Sequence, residues 1–266
     1  MRSKLYEIYS LEQLSSGGSG VHALHPLVKM ISTLIYITCI VSFDRYALGR
    51  LVPYVFYPVI VMAWAGIPYG MIFKRALVAL PFCLFAGVSN LIFDRAVITQ
   101  IGSVVVSYGF VSFLAILLRT LLSVAAVLIL VAVTPFYELT EQLRRLRVPA
   151  IVVNLFEMIY RYLGTLLNEA SSMYIAYRLR CPNEKGLAMK HMGSFVGQLL
   201  LRSFDRAERI YSSMKCRGYP AQERDAAQRH FMWADAWFFI ISCGSSVLLR
   251  FADVQSILAT WLEGLL

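Results

Sequence analysis

Charged side chains are scarce in this sequence of 266 residues. Asp, Glu, Lys and Arg together make up 15% of it, whereas hydrophobic residues make up 58% and the mean hydropathy is +0.63. Soluble domains carry about 25% charged residues, because their surfaces face water. The shortage of charge therefore excludes an ordinary soluble enzyme and predicts a polytopic membrane protein.

Sequence motifs for catalysis and metal binding are also missing. The chain has no HExxH, no P-loop and no Gly-x-Ser-x-Gly, and its five cysteines form neither a CxxC motif nor a cluster with histidine. His22 and His25 stand close together, but two histidines without a carboxylate or thiolate make a weak metal site. We therefore expect no cofactor, no metal site and no ATP hydrolysis by the chain itself.

Long apolar runs dominate the sequence instead. Five of them are long enough to cross a bilayer as helices, namely residues 27–43, 48–73, 76–93, 109–135 and 233–249. Lys74 and Arg75 are predicted to end the second of these spans. Residues 97–107 are β-branched and too few to span, so they predict an extended external segment. Arg119 lies inside the fourth run, where a charge facing lipid is costly. We therefore expect Arg119 to face the protein interior or a partner subunit.

Positive charge is concentrated in one segment. Residues 141–232 hold 15 of the 25 Lys and Arg and 8 of the 16 Asp and Glu, which gives this segment a net charge of +7. Segments this basic tend to stay in the cytoplasm. The sequence therefore predicts three regions: residues 1–140 with four spans, residues 141–232 as a cytoplasmic module, and residues 233–266 as a C-terminal transmembrane helix and tail.

The basic segment contains two helical patterns whose apolar positions alternate in steps of four and three. We call these positions the apolar stripes: Val152, Phe156, Ile159, Leu163, Leu166, Ala170, Met173 and Tyr177 in the first helix, and Val196, Leu200, Ser203, Ala207, Ile210 and Met214 in the second. We expect the stripes to pack against each other or against a common neighbour. At an offset of 37 residues the stripes superpose, and Arg180 then falls on Arg217. Pro149 can open the first helix, and Pro182 and Gly218 can close the two.

A basic edge runs beside the stripe of the second helix. On a helical wheel Arg202, Arg206 and Arg209 fall within about 60° of arc. The edge fits a solvated face with pairs such as Asp205–Arg209, a surface for anionic lipid, or a contact with an acidic protein. Nucleic acid is not favoured, because the aromatic residues lie mostly on the packing face and no recognition motif is present.

Four stretches of the chain resemble one protein family. "RSFDRAERIYSSMKCRGY", residues 202–219, resembles the signature of CbiQ-type transmembrane proteins, which are the T components of energy-coupling factor transporters, a branch of the ABC transporters. "HALHPLVKM" resembles the family's Leu-x-Pro-x-x-Lys start of the first helix, and "TPFYELTEQLRRLRVP" its junction between membrane and cytoplasmic parts. "YRYLGTLLNEASSMYIAYRLR" resembles its first coupling helix.

The resemblance implies a division of labour between subunits. A T component links a substrate-binding membrane subunit to two cytoplasmic ABC ATPase subunits through two coupling helices, each of which ends in a short Ala-Arg-Gly-like motif. Here the second motif is Cys216-Arg217-Gly218, and the first lies around Arg180, with Arg178 as the alternative arginine. The matching stretch also implies a supporting role for five residues of the second coupling helix: Arg202, Arg206, Ala207, Glu208 and Arg209.

The resemblance further implies cobalt uptake for cobalamin biosynthesis, with the metal held by the substrate-binding subunit. A T component for nickel or a vitamin is the alternative. An intramembrane enzyme built on His22, His25 or Arg119, or a membrane scaffold, represents other classes. We therefore expect an all-α integral membrane protein, multi-pass in a bacterial or archaeal cell membrane. It has about five transmembrane helices and two long cytoplasmic amphipathic coupling helices, and it contacts the lipid bilayer and no nucleic acid.

Overall fold

A computed structural model of the protein describes residues 14–15, 17–44, 46–93, 97–101, 104–184, 186–218 and 231–251. Most of these residues are helical. The helices are α1 (Gly20–Ala23), α2 (Pro26–Val41), α3 (Leu48–Leu51), α4 (Phe56–Ala65), α5 (Tyr69–Ala76), α6 (Leu80–Phe93), α7 (Tyr108–Val133), α8 (Phe136–Arg145), α9 (Ala150–Arg180), α10 (Met189–Cys216) and α11 (Trp233–Phe251). Short 3-10 turns, Val52–Val55 and Leu77–Ala79, connect α3 to α4 and α5 to α6.

The segment expected to be extended forms an antiparallel hairpin. Its strands are β1 (Val97–Ile101) and β2 (Val104–Ser107), with Ile101 opposite Val104 and Val97 opposite Ser107. The prediction of extended structure between the third and fourth spans is therefore confirmed.

The described residues fall into two compact units. The membrane unit comprises those within Tyr9–Leu139 and Arg229–Leu266, and the coupling unit comprises those within Thr140–Gln228. The boundary between the units falls inside α8, in the stretch that the sequence predicts as the junction.

Among the described residues, five helical stretches are long and apolar enough to cross a membrane: Leu48–Ala65, Tyr69–Ser89, Tyr108–Val133, Ala150–Arg180 and Trp233–Phe251. The first expected span forms α2, which is shorter at 16 residues. Helix α9 meets the same standard of length and composition, although the sequence predicts it as a cytoplasmic coupling helix. The expected all-α, multi-pass class is confirmed.

The second and third spans divide at a different place from the one predicted. We expected one span over residues 48–73, ended by Lys74 and Arg75. The helix stops instead at Gly66, whose φ of 69° is left-handed, and restarts after Pro68. A left-handed glycine followed by proline is a strong helix stop. Lys74 and Arg75 lie in the last turn of α5, where positive charge suits the helix dipole and does not end the helical stretch.

The core of the membrane unit consists of two clusters of buried apolar side chains. One cluster joins α1, α2, α4, α5, α7 and α11 through residues such as Val28 and Ile129. The other joins α2, α3 and α7 through residues such as Tyr36 and Leu51. The Tyr36 hydroxyl donates to the Tyr54 carbonyl oxygen at 2.8 Å, so this buried polar group is satisfied. Inside a bilayer such cores gain stability from close packing more than from removal of apolar surface from water.

Contacts between helix ends show the relative directions of α2, α7 and α11. The start of α2 lies beside the start of α11 and the last turn of α7, and the end of α2 lies beside the end of α11. Helices α2 and α11 are therefore parallel, and α7 runs against both. The five spans predicted from the sequence account for this arrangement if their directions alternate. Helices α2 and α11 are the first and fifth of these spans and cross in one direction, and α7 is the fourth and crosses in the other.

The coupling unit buries its apolar stripes only in part. Helices α9 and α10 contact each other, and Ile210 and Met214 near the end of α10 are half-buried. Earlier along the helices Ile159, Val196 and Leu200 are 54%, 52% and 54% exposed. The second part of the α10 stripe is therefore partly covered at these two residues, whereas the first part of both stripes is exposed in the described chain. That the stripes pack against each other or against a common neighbour stays a prediction.

Candidate functional site

Both helices of the coupling unit end in an arginine. Arg180 is the last residue of α9, and Arg217 is the C-cap residue that follows Cys216 at the end of α10. Gly218 comes next with a φ of 71°, a left-handed conformation that glycine adopts without strain. This glycine stops the helix directly after Arg217. All four residues are exposed, so both helix ends offer a guanidinium at the surface of the unit.

Arg178 and Arg180, the two candidates for the first coupling arginine, differ in their contacts. Nη1 of Arg178 donates to the carbonyl oxygen of Glu184 at 3.0 Å, which ties Arg178 to the loop after α9. The side chain of Arg180 makes no hydrogen bond or ion pair with the part of the chain that the structure describes. The end of α9 therefore presents Arg180, and not Arg178, as an unengaged guanidinium.

The loop after α9 is organised around the carboxylate of Glu184. The hydroxyl of Tyr177 donates to Oε2, Nζ of Lys190 lies 3.4 Å from Oε1, and Nε2 of His191 lies 3.9 Å from the same oxygen. Tyr177 belongs to the last turn of α9, whereas Lys190 and His191 belong to the first turn of α10. One carboxylate thus connects the end of one coupling helix to the start of the next.

Two members of the basic edge form ion pairs inside the unit. Arg202 donates from Nη1 to Oε1 of Glu169 on α9, and Nη2 of Arg206 lies 3.8 Å from Oε2. Glu169 falls on Arg206 at the offset of 37 residues that superposes the stripes. Arg202 and Arg206 therefore link α10 to α9 through ion pairs that water partly screens, since the side chain of Arg202 is 56% exposed. The basic edge alone does not indicate these contacts.

The remaining candidates on α10 are Ala207, Glu208 and Arg209, and all three are exposed. The i,i+4 pair between Asp205 and Arg209, which a solvated face would favour, does not form within the described residues of α10. Arg209 therefore leaves its charge at the surface.

The membrane unit contains a buried acid at the starts of two helices. Asp235, in the first turn of α11, is 2% exposed. Its Oδ1 accepts the backbone N–H of His25, and its Oδ2 accepts the backbone N–H of Met232, both at 2.7 Å. His25 is the N-cap of α2, so one carboxylate satisfies backbone donors at the starts of α2 and α11. A negative charge is favoured there by both helix dipoles.

Two basic residues of the membrane unit contact the C-terminal ends of helices, where the helix dipole is negative. Lys29 is 4% exposed, and its Nζ donates to the carbonyl oxygen of Val133, the last residue of α7, at 3.2 Å. Nη2 of Arg119 donates to the carbonyl oxygen of Phe43, just after α2, at 2.7 Å. Both charges thus meet carbonyl groups that a helix end leaves without internal partners. The prediction that Arg119 faces the protein interior is confirmed.

A third basic residue follows the same rule. Nη2 of Arg250, near the end of α11, donates to the carbonyl oxygen of Ser42 at 3.1 Å, and its guanidinium lies 4.5 Å from the ring centre of Phe43. The end of α2 is therefore held by two guanidinium groups from two other helices.

The two histidines at the start of the chain serve helix starts and local turns. Nδ1 of His25 accepts the N–H of Leu27 at 3.2 Å as the cap of α2. Nε2 of His22 lies 2.9 Å from the carbonyl oxygen of Leu14, and its Nδ1 lies 2.6 Å from Oγ of Ser19. Within the described residues no group of three or more His, Cys, Asp and Glu side chains could hold a metal ion. These contacts do not support the intramembrane-enzyme hypothesis.

Sequence reasoning missed three acids that organise the two units: Glu169, Glu184 and Asp235. A local signal existed for Asp235, because an acid directly before a long apolar run occupies the helix turn where the dipole favours it. Glu169 could have been found from the stripe offset, which matches it with Arg206. Glu184 had no such signal, since its partners are brought together only when the loop folds.

Comparison with known proteins agrees with the resemblance in the sequence. The family model described as CbiQ, cobalt transport protein, matches residues 17–227. The energy-coupling factor transporter transmembrane protein EcfT of Lacticaseibacillus paracasei is 24% identical over 255 residues, which cover 88% of this chain and 96% of that protein. The cobalt transport protein CbiQ of Rhodobacter capsulatus is 30% identical over 101 residues, 38% of this chain and 41% of that one. An uncharacterised protein of Methanocaldococcus jannaschii is 25% identical over 201 residues, 71% and 68% of the two chains.

Proposed function

Because the chain belongs to the CbiQ family of membrane transport components, we propose that it is the coupling subunit of an energy-coupling factor importer for cobalt. In this role it transmits ATP-driven motion from two cytoplasmic ABC ATPase subunits to a substrate-binding membrane subunit. The ATPase subunits hydrolyse ATP, and the substrate-binding subunit holds the metal. The coupling subunit contributes mechanical linkage and no chemistry.

The observation that carries this proposal is the pair of exposed arginines at the ends of two long helices. Arg180 ends α9 and Arg217 caps α10, and the stripes that precede them superpose at one offset. A guanidinium at a helix C-terminus is favoured by the dipole and can bind a carboxylate through two parallel hydrogen bonds. Two similar ends suit two similar ATPase subunits.

The exposed apolar surface of α10 supports the same role. Leu201, Phe204 and Tyr211 are more than half exposed, as are the stripe residues Val196 and Leu200. Contiguous apolar surface on a cytoplasmic helix marks an interface with another protein, because water does not stabilise it. We expect partner subunits to cover this surface in the assembled transporter.

The ion pairs of Glu169 connect α9 and α10, so that the two helices can move together. Arg202 and Arg206 of α10 both bind this one carboxylate of α9. A displacement of either helix end by ATP-driven motion would then move its neighbour, which is the requirement for coupling.

The test compares Arg180→Ala, Arg217→Ala and the double variant in the chain co-expressed with its ATPase and substrate-binding subunits. Truncating one member of a buried interface charge pair typically costs about 2–5 kcal/mol, so each single variant should weaken one docking site. The double variant should lose the ATPases on purification and take up no cobalt. Arg161→Ala is the matched control, because it removes an equal charge from an exposed position of α9.

Two outcomes decide between the proposal and its alternatives. A double variant that retains the ATPases and takes up cobalt at the parental rate would overturn the coupling role. Uptake of radioactive nickel in preference to cobalt by the parental complex would keep the coupling role and replace the metal.

A further inference from the structure

The loop between the two coupling helices follows a single hydrogen-bonded path. The N–H of Cys181 donates to the carbonyl oxygen of Tyr177 at 3.0 Å, that of Glu184 to Cys181 at 3.3 Å, and that of Gly186 to Glu184 at 3.1 Å. Gly186 has a φ of 92°, which favours glycine. The N–H of Ala188 donates to the hydroxyl of Tyr177 at 3.4 Å. The backbone therefore returns Glu184 to the last turn of α9.

The strongest side-chain link in this loop joins Tyr177 to Glu184. The Tyr177 hydroxyl donates to a carboxylate, and such charge-assisted hydrogen bonds are stronger than neutral ones. Lys190 also lies near this carboxylate, but its side chain is 70% exposed, so water screens the pair and its contribution is small. The backbone carbonyl oxygen of Glu184 also accepts a hydrogen bond from Nη1 of Arg178. Glu184 therefore holds two successive residues of the last turn of α9.

The turn that Glu184 holds is the one that presents Arg180. Helix ends fray, because their last carbonyl groups lack internal partners. A frayed end would spread the Arg180 guanidinium over many positions, and a binding partner would have to offset the entropy of ordering it. Tyr177 and Arg178 precede Arg180 by less than one helical turn, so fixing them limits this motion.

We propose that Glu184 is a positioning residue, which holds the end of α9 so that Arg180 is presented to an ATPase subunit in one orientation. This inference rests on the proposed function of Arg180 as a docking residue. It assigns to the loop carboxylate a part in ATPase binding, although Glu184 itself need not touch the ATPase.

The test titrates the ATPase subunits against the purified full-length chain in detergent. Glu184→Ala should raise the dissociation constant for the ATPase subunit that binds Arg180 about tenfold. This is the effect expected when one charge-assisted hydrogen bond is lost. Glu184→Gln should recover most of the affinity, because its amide oxygen still accepts the Tyr177 hydroxyl. Tyr177→Phe, which removes only the hydroxyl, should reproduce much of the loss. Asp205→Ala is the matched control, since it removes an exposed acid of α10.

The deciding measurement is the combination with Arg180→Ala. If Glu184 acts through Arg180, the variant with both changes should bind the ATPases as weakly as Arg180→Ala alone. An equal loss from Glu184→Ala in the presence and absence of Arg180, or no loss at all, would overturn the positioning role. If Glu184→Ala does not accumulate as folded protein, Tyr177→Phe takes its place. Its loss of ATPase affinity is then compared in the presence and absence of Arg180. Failure of the docking function itself is distinguishable, because Arg180→Ala alone would then bind the ATPases like the parent.

Discussion

The membrane unit and the coupling unit use charge at helix ends in opposite ways. In the membrane unit Asp235, Lys29 and Arg119 all bind backbone groups at the ends of neighbouring helices. In the coupling unit Arg180 and Arg217 stand at the ends of their own helices and are exposed. The same electrostatics therefore completes the structure in one unit and leaves a binding group available in the other.

Both units expose apolar side chains, but the expected surroundings of these side chains differ. In the membrane unit Phe85 is 87% exposed, and lipid acyl chains suit such a surface. In the coupling unit Phe204 is 60% exposed on a helix predicted to lie in the cytoplasm. The proposed function therefore assigns a lipid covering to the exposed apolar surface of the membrane unit and a covering of partner subunits to that of the coupling unit. The following changes test this contrast, from the largest expected effect on the isolated chain to the smallest.

Replacing Asp235 by alanine should have the largest effect on stability. The change leaves the buried N–H of His25 and the partly buried N–H of Met232 without their carboxylate. Each hydrogen bond to a charged group contributes about 1.5–3 kcal/mol, so we expect a loss of about 3 kcal/mol. The check is the melting temperature of the purified chain in detergent. Asp235→Asn should lose less, and Asp205→Ala, at an exposed position of α10, should melt like the parent. A parental melting temperature for Asp235→Ala would contradict the role of this acid at the two helix starts.

Replacing Lys29 by methionine should destabilise the chain by about 1–3 kcal/mol, the cost of leaving a buried polar group unsatisfied. Methionine fills a similar volume, so the variant removes the hydrogen bonds of Nζ with little change in packing. These bonds include those to the carbonyl oxygens of Val133, at the end of α7, and His22. Unfolding in increasing denaturant concentration measures the loss. Lys190→Met, at an exposed position, is the control, and a similar loss in both variants would show that burial of Lys29 is not the cause.

Replacing Arg119 by methionine should cost about 1 kcal/mol, less than the change at Lys29, because this guanidinium is only partly buried. The lost bonds are those from Nη2 to the carbonyl oxygens of Phe43 and Asp44, just after α2. Since Arg250 binds the neighbouring carbonyl of Ser42, the variant with both arginines replaced should lose more than the sum of the single variants. Additive losses in thermal melting would show that the two residues act independently on α2.

Replacing Leu200 by serine should change the stability of the isolated chain by less than about 0.5 kcal/mol, because the side chain is already 54% exposed. The same variant should reduce assembly with partner subunits, measured by size-exclusion chromatography of the co-expressed complex. Ile210→Ser is the internal comparison, because Ile210 is half-buried and should lower the melting temperature of the isolated chain. A destabilised Leu200→Ser chain that still assembles would contradict the contrast between the units.

Local sequence signals predicted the boundaries of the coupling helices well. Pro149 directly precedes α9, and Gly218 directly follows the C-cap of α10, because these residues act on the backbone at their own positions. The end of the second span was predicted wrongly for a related reason. The charge of Lys74 and Arg75 predicts an end that the structure instead places at Gly66, because a helix ends where its backbone turns and not where its charge rises.

Composition and local pattern determined the membrane class, the extended hairpin, the two coupling helices and the arginines at their ends. Each of these features depends on residues that are close in sequence or on the cost of a charge in lipid. Tertiary structure decided which charges are bound and which are available. Asp235 meets His25 across most of the chain length, and Glu184 meets Tyr177 only when the loop folds back. Hydrogen bonds of this kind depend on distances of about 3 Å between atoms, which no spacing along the sequence specifies.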